Sequence, residues 1–357
     1  MPSFLYTTLI VLLWIAGGVA LLLLLGIAYQ AIGAALDARR FPAPGRMVDA
    51  GGHRLHLREM GEGWPAVIFD APLGGSGISW SLVQPAVARF TATYAYDRAG
   101  LGWSDLGRTP LDAARFVADL HALIERAEVP RPVVLVGHSF GGLVARLYAA
   151  AHPEDVAGIV FVDPAQPAEF HPLLPEQRRR IEIGARLARR GAWAARLGIA
   201  RLVALLVTLG ARGTARDTVA AVSGGILRGH SDQIIAPLHR IPPELRPALR
   251  AMWTQPRFFE SLAAHIACVP AAAQRAAAQP PRFDDKPVVV ISPERITEFK
   301  LQENRALAQM SSRGQHVVAM GSGHWVQLDA PEVVAGAVQA VVDAVRSAVP
   351  LASRSVQ

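Results

Sequence analysis

The sequence predicts an α/β protein in which a mostly parallel, doubly wound sheet carries helices on both faces. Three observations predict it. Short runs rich in Val and Ile alternate with stretches of helical period along much of the chain. The tight segment Gly137-His138-Ser139-Phe140-Gly141 lies between one such run and a helical stretch. At 357 residues, 51% hydrophobic and 18% charged, the chain can bury a full core as one domain with an insertion.

The N-terminus is physically distinct. From Phe4 to Leu36 no residue is charged, and Leu21 to Leu25 is an unbroken leucine block. A bilayer core takes about 20 apolar residues of helix, so a transmembrane helix is expected around Leu5 to Ala28. A cleaved signal peptide fits less well, because its apolar part is about 7 to 15 residues behind a basic start. No Lys or Arg precedes this run. Residues 1–37 are therefore expected to be a single-pass anchor in the cell membrane. Arg39, Arg40 and Arg46 follow it, and the positive-inside rule places that end and the soluble domain in the cytoplasm. Residues 38–45, with Phe41-Pro42-Ala43-Pro44-Gly45, read as a stiff linker.

Arg46 to Ala50 and His53 to Glu59 read as a hairpin turning at Gly51-Gly52. Strands are expected at Ala66 to Ala71, Thr91 to Tyr96, Pro132 to Val136, Ala157 to Val162, Lys286 to Ser292 and Gln315 to Met320, which completes eight. Helices are expected at Asp112 to Ala127, with Phe116, Leu120, Leu123 and Ile124 on one face, at Leu143 to Ala151 and at Pro331 to Arg346. Between Pro164 and Asp285 the strand pattern stops. This segment is helical in pattern and carries Arg178, Arg179, Arg180, Arg186, Arg189, Arg190, Arg196 and Arg201. Within it, Trp193 to Leu209 reads as a packed helix with snorkelling arginines in preference to a helix lying on an anionic membrane. His171, His230, His239 and His265 show no metal-ligand spacing and read as polar residues of the segment. Residues 350–357 are expected to be a flexible tail.

A net charge of +7 raises the question of nucleic acid. Only Lys286 and Lys300 are lysines, and no zinc-finger or RNA-binding signature is present, so nucleic acid is not an expected partner. Cys268 is the single cysteine, which excludes an intrachain disulfide; it reads as a small buried apolar side chain.

Ser139 has the setting of a nucleophile, on a turn where Gly137 and Gly141 leave room for the adjoining strand and helix. His324, in Gly321-Ser322-Gly323-His324-Trp325, lies on a glycine-rich loop after a strand. Asp163 ends the strand after the Ser139 helix. The order Ser, Asp, His and the segment Tyr96-Asp97-Arg98-Ala99-Gly100-Leu101-Gly102-Trp103-Ser104 complete a set of four separately placed motifs. From about Met47 to Val349 the chain resembles the α/β-hydrolase superfamily, in the branch that carries such a Tyr-Asp-Arg-Ala-Gly-x-Gly-Trp-Ser segment.

The resemblance implies an α/β-hydrolase fold, with an eight-stranded core formed by 46–164 and 286–349 and a helical cap, 165–285, over the site. It implies Ser139 as nucleophile and His324 as general base. Two acids compete to orient the imidazole: Asp163, and Glu294 after the next strand. Asp163 is preferred because the Gly-x-x-Asp loop usual at the second position is missing. The oxyanion donors would be the N–H of Phe140 and, from the loop Pro72 to Gly77, that of Leu73, since Pro72 has no N–H. Asp97 and Arg98 are expected to hold their loop in shape. Trp80, Trp103 and Trp325 either line the pocket or pack. Neither a cofactor nor a metal is expected. The expected activity is that of a membrane-anchored carboxylic ester hydrolase acting on a lipophilic ester through an acyl-enzyme. An aspartate in place of Ser139 would have indicated epoxide or haloalkane chemistry. An acyltransferase, a peptidase and a catalytically silent anchored binding protein are the alternatives.

Overall fold

In the computed structural model, residues 2–107, 111–208 and 240–348 are described. The N-terminal helix α1 spans Pro2–Arg40. It is long and apolar enough to cross a membrane. The strands are β1 (Arg46–Asp49), β2 (Arg54–Met60), β3 (Val67–Asp70), β4 (Thr93–Tyr96), β5 (Val133–His138), β6 (Val156–Val162), β7 (Val288–Pro293) and β8 (Gly314–Ala319). They form one eight-stranded sheet in the order β1-β2-β4-β3-β5-β6-β7-β8. Only the β1–β2 and β2–β4 pairs are antiparallel. At the first hairpin Asp49 Oδ1 accepts from the N–H groups of Gly51 and Gly52, each at 2.9 Å, which sets the turn.

Continuous apolar strands need cover on both faces. On one face, Leu135 of β5, Ile159 of β6 and Val290 of β7 pack with Phe116, Leu120 and Leu123 of α3 (Ala113–Arg126) and Leu143 and Val144 of α4 (Phe140–Ala151). On the other, Val134, Val136, Val160 and Val289 meet Val334, Val338 and Val341 of the C-terminal helix, Pro331–Ala348. The alternation along β5 decides which side chain goes to which layer. A four-residue helix α2 (Gln84–Val87) covers the second face beside β4.

Between β6 and β7 the named elements are all helices: α5 (Pro167–Phe170), α6 (Pro175–Arg196), α7 (Ile199–Thr208), α8 (Arg246–Trp253) and α9 (Pro256–Ala278). α6 buries Ala185, Ala188, Ala192 and Ala195, and at Gly191 it passes so close to Phe259 of α9 that a Cβ would sit 2.5 Å from the ring. Seven of the eight arginines expected there are exposed; Arg201 alone is turned inward. His230, His239 and the 350–357 tail lie outside the described residues. After β7 come α10 (Glu298–Gln309), β8, the short α11 (Val326–Asp329) and α12 (Pro331–Ala348).

The N-terminal helix runs three residues past the expected end of the anchor. The chain after it is fastened rather than free: Phe41 O accepts from Trp103 Nε1 at 3.0 Å, and Pro44 O lies 3.2 Å from His56 Nε2.

Candidate active site

Ser139 stands where β5 turns into α4. Its backbone, at φ 53° and ψ −115°, is in a region that costs a non-glycine residue energy and persists only when the surroundings impose it. They do. The Ser139 N–H donates to Val162 O of β6 at 3.1 Å, and Ser139 O accepts from Ala165 N at 2.9 Å and Gly142 N at 3.0 Å. The strand-to-helix turn is tight enough that a Cβ on Gly137 would lie 2.5 Å from Gly141 O, and one on Gly141 only 2.4 Å from Asp70 O. Backbone against backbone leaves no side chain to give way, so both positions require glycine. Ser139 itself is half-buried.

The loop after β8 carries His324 to the same edge. It is pinned on three sides: Ser322 Oγ donates to Ala319 O at 2.6 Å, Gly323 N to Asp329 Oδ2 at 2.7 Å, and Gly321 N to Glu294 Oε2 at 2.8 Å. His324 Nδ1 lies 2.6 Å from Asp163 Oδ2 while the side chain stays 45% exposed, and Nε2 is on the far side of the ring from that bond. Asp163, 4% exposed in its side chain, holds Lys300 Nζ on its other oxygen at 2.9 Å. Burial pushes its carboxyl up, but the His324 hydrogen bond and the Lys300 charge outweigh burial and hold it below the ordinary aspartate value. The structure thus brings Asp163 to His324, and it gives Glu294 a different partner, the N–H of Gly321.

The contact between the two loops is made by His138. Its Nε2 lies 2.7 Å from His324 O, its Nδ1 accepts from Gln327 Nε2 at 2.9 Å, and its ring centroid is 4.7 Å from that of His324. Burial pushes this imidazole well below the usual histidine range, so it is neutral with its proton on Nε2. Sequence reasoning missed both His138 and Lys300. The first is visible only as an unexplained buried histidine beside Ser139, and the second reaches Asp163 through tertiary structure alone.

Phe140 opens α4, so its N–H is among the first-turn donors that have no acceptor within the helix. Asp70, the last residue of β3, pairs with Gly137 of β5, and the loop that carries Leu73 leaves the sheet there, with the Leu73 side chain packed against the apolar cluster that includes Phe140. The loop between is held by buried Arg98, which donates to Asp70 Oδ1, Ala71 O and Pro72 O and stacks its guanidinium 5.3 Å from the Phe140 ring centroid. Asp97 accepts from Gly77 N at 2.6 Å, Trp103 N at 2.9 Å and His56 Nδ1 at 2.9 Å, tying that loop to Trp103. Trp80 is fully buried as packing against Phe69; Trp103 and Trp325 are half-buried around an apolar cluster of Ile78, Leu249 and Leu328.

Cys268 is buried, and burial pushes its thiol up to about 12, which removes it as a nucleophile at neutral pH. His121, His152 and Asp155 place ligand atoms within 4.8 Å of one another. The two imidazoles stack face to face at 4.0 Å and 7°, and Asp155 already takes Tyr148 OH at 3.0 Å. That arrangement suits a hydrogen-bonded cluster better than convergence on one ion.

Residues 61–337 match the model of the alpha/beta hydrolase family, and the chain belongs to that family. It is similar to a 2-hydroxymuconate semialdehyde hydrolase of Pseudomonas sp. (strain CF600), 32% identical over 166 residues that make up 40% of this chain and 55% of that protein. It is also similar to a 2-hydroxy-6-oxo-2,4-heptadienoate hydrolase of Pseudomonas putida, 32% identical over 33% of this chain and 44% of that protein. The chain spans about half or less of the length of the curated relatives it matches. Among solved structures, an esterase from Thermogutta terrifontis superposes with a TM-score of 0.59 at 19% identity, covering 84% of this chain and 98% of the other. The epoxide hydrolase CorEH gives 0.61 at 17% identity, covering 84% and 99%. At these identities the likeness concerns the fold.

Proposed function

We propose that the chain is a serine hydrolase of carboxylic esters, anchored in a membrane by α1 with its catalytic domain on the cytoplasmic side. The observation that carries this reading is the Asp163–His324 pair at 2.6 Å, set beside the strained Ser139 turn at the carboxyl ends of the strands. Ser139 Oγ attacks the ester carbonyl carbon while His324 Nε2 takes its proton; Asp163 fixes the imidazole tautomer and stabilises the cation that forms. The N–H groups of Phe140 and Leu73 receive the oxyanion. Collapse expels the alcohol, which leaves with the proton from His324. Water, deprotonated in turn by His324, then releases the acid and restores Ser139. Helices α5 to α9 act as the cap that shapes the pocket. Arg39, Arg40 and Arg46, just after the apolar run, support the cytoplasmic side.

Turnover of p-nitrophenyl esters from acetyl to lauroyl, measured on the full chain in detergent, tests the reading. Ester hydrolysis abolished by Ser139→Ala supports it. A second reading rests on the two Pseudomonas relatives, whose names describe hydrolases of other substrates. Turnover of 2-hydroxymuconate semialdehyde without any ester hydrolysis would put that reading first.

A further inference from the structure

The apolar run of α1 is longer than a bilayer needs. From Phe4 to Leu36 it measures roughly 50 Å as a helix, against a hydrocarbon core of ~30 Å. The excess lies at the end that packs on the other helices. Gly26, Gln30, Gly33 and Asp37 form one helical face, and every one of them is used there. A Cβ on Gly26 would lie 2.4 Å from Leu197 O, and one on Gly33 would lie 2.5 Å from Arg201 Nε. Gln30, 5% exposed, donates to Thr254 O and accepts from Arg201 Nε, each at 3.2 Å. Arg201 closes the set on Asp37 at 2.6 Å and so neutralises the first charge after the apolar run.

α7 therefore starts level with Gly26 and climbs beside the upper part of α1, and its outward face is apolar. Ile199 and Leu202 stand on that face at helical spacing and are 42% and 48% exposed, while Leu205, 44% exposed, borders the groove between α7 and α1. Trp193 is 66% exposed with the Arg196 guanidinium over its ring. Ile27, Ile32 and Leu36 of α1 are exposed at the same level. Arg39 and Arg40, at the end of α1, are exposed cations bordering this collar, and Arg196 at its other end is paired with Glu260. An apolar face bordered by arginines and an exposed Trp, continuous with a spanning helix, has the composition of a surface that lies at the headgroup and acyl boundary.

We propose that the α6–α7 turn and the outer face of α7 are seated in the bilayer surface, clamped to α1 by the Gly26, Gln30, Gly33, Asp37 and Arg201 contacts. The inference rests on the reading of α1 as a membrane anchor. It makes the helices over Ser139 part of the membrane-bound body, so that the site opens from a domain held against lipid.

The test uses the full chain in vesicles of phosphatidylcholine and phosphatidylglycerol, in a Cys268→Ala background. An environment-sensitive fluorophore is placed on Leu202→Cys, Leu13→Cys or Glu298→Cys, all at exposed positions, and quenched by shallow or deep spin-labelled lipids. Position 202 is expected to lose about half its emission to the shallow quencher, position 13 to respond to the deep one, and position 298 to neither. Quenching at 13 without quenching at 202 overturns the seat and leaves the anchor standing; quenching at neither overturns both. Gly26→Leu, which forces the α6–α7 turn away, is expected to lower quenching at 202 and leave 13 unchanged. Persistence of the signal at 202 in that variant overturns the clamp.

Discussion

Replacing Asp163 by Asn changes one atom in a nearly closed site and decides which acid serves His324. Asp163 is 4% exposed in its side chain, takes His324 Nδ1 on one oxygen at 2.6 Å, and holds Lys300 on the other at 2.9 Å. Asn offers one oxygen and one NH2. With the oxygen toward Lys300, the NH2 group faces Nδ1 and drives the imidazole proton to Nε2, where it blocks acceptance from Ser139. With the oxygen toward His324, the NH2 group opposes the Lys300 ammonium. Loss of the correct tautomer in such a site lowers kcat by about 10⁴-fold, or roughly 5.5 kcal/mol. Glu294→Gln keeps an acceptor for Gly321 N on an exposed loop, where a hydrogen bond contributes about 0.5–1.5 kcal/mol, so turnover should fall by less than about threefold. The assay is kcat on p-nitrophenyl acetate for the two variants, each checked for an unchanged melting profile. A collapse of activity in Glu294→Gln, with Asp163→Asn within about tenfold of wild type, refutes the reasoning.

Two further outcomes follow from the same geometry. Gly141→Ala puts a methyl 2.4 Å from Asp70 O and 2.7 Å from Ala71 O, and the backbone must separate there. Overpacking of this kind costs about 1–3 kcal/mol, so a lowered Tm and a lowered kcat are both expected, and a variant matching wild type in both contradicts the turn geometry. Lys300→Met removes one of the two partners that hold Asp163 below its ordinary value. A carboxyl depressed in the folded state stabilises above the unfolded value of about 3.9 and loses that contribution as pH falls through the folded value. The Tm deficit of Lys300→Met should therefore be largest near neutrality and shrink below about pH 4; a deficit independent of pH refutes it.

Much of the sheet was legible because buried parallel strands must be continuous runs of apolar residues, and Val133 to Val136 or Val288 to Ile291 admit little else. Ser139, Asp163 and His324 were legible as positions because strand ends are where a doubly wound sheet leaves side chains uncovered. What the sequence concealed depends on the third dimension. Lys300 is 137 residues from Asp163 and belongs to an ordinary helical pattern. His138 is one residue from Ser139, yet its bond to the His324 carbonyl exists only once two loops are assembled. The docking face of α1 carried a signal that hydropathy averaging hid. Gln30 interrupts an apolar run, and Gly26, Gly33 and Asp37 share its helical face, a pattern that lipid alone does not explain.

The most direct test of the central claim is covalent labelling of the full chain by a fluorophosphonate, with the modified peptide located by mass spectrometry. A serine activated by His324 and Asp163 should carry the adduct at Ser139. Labelling should vanish in Ser139→Ala and fall steeply in His324→Ala. A folded wild-type protein that takes no label, or one labelled at another residue regardless of Ser139→Ala, contradicts the account.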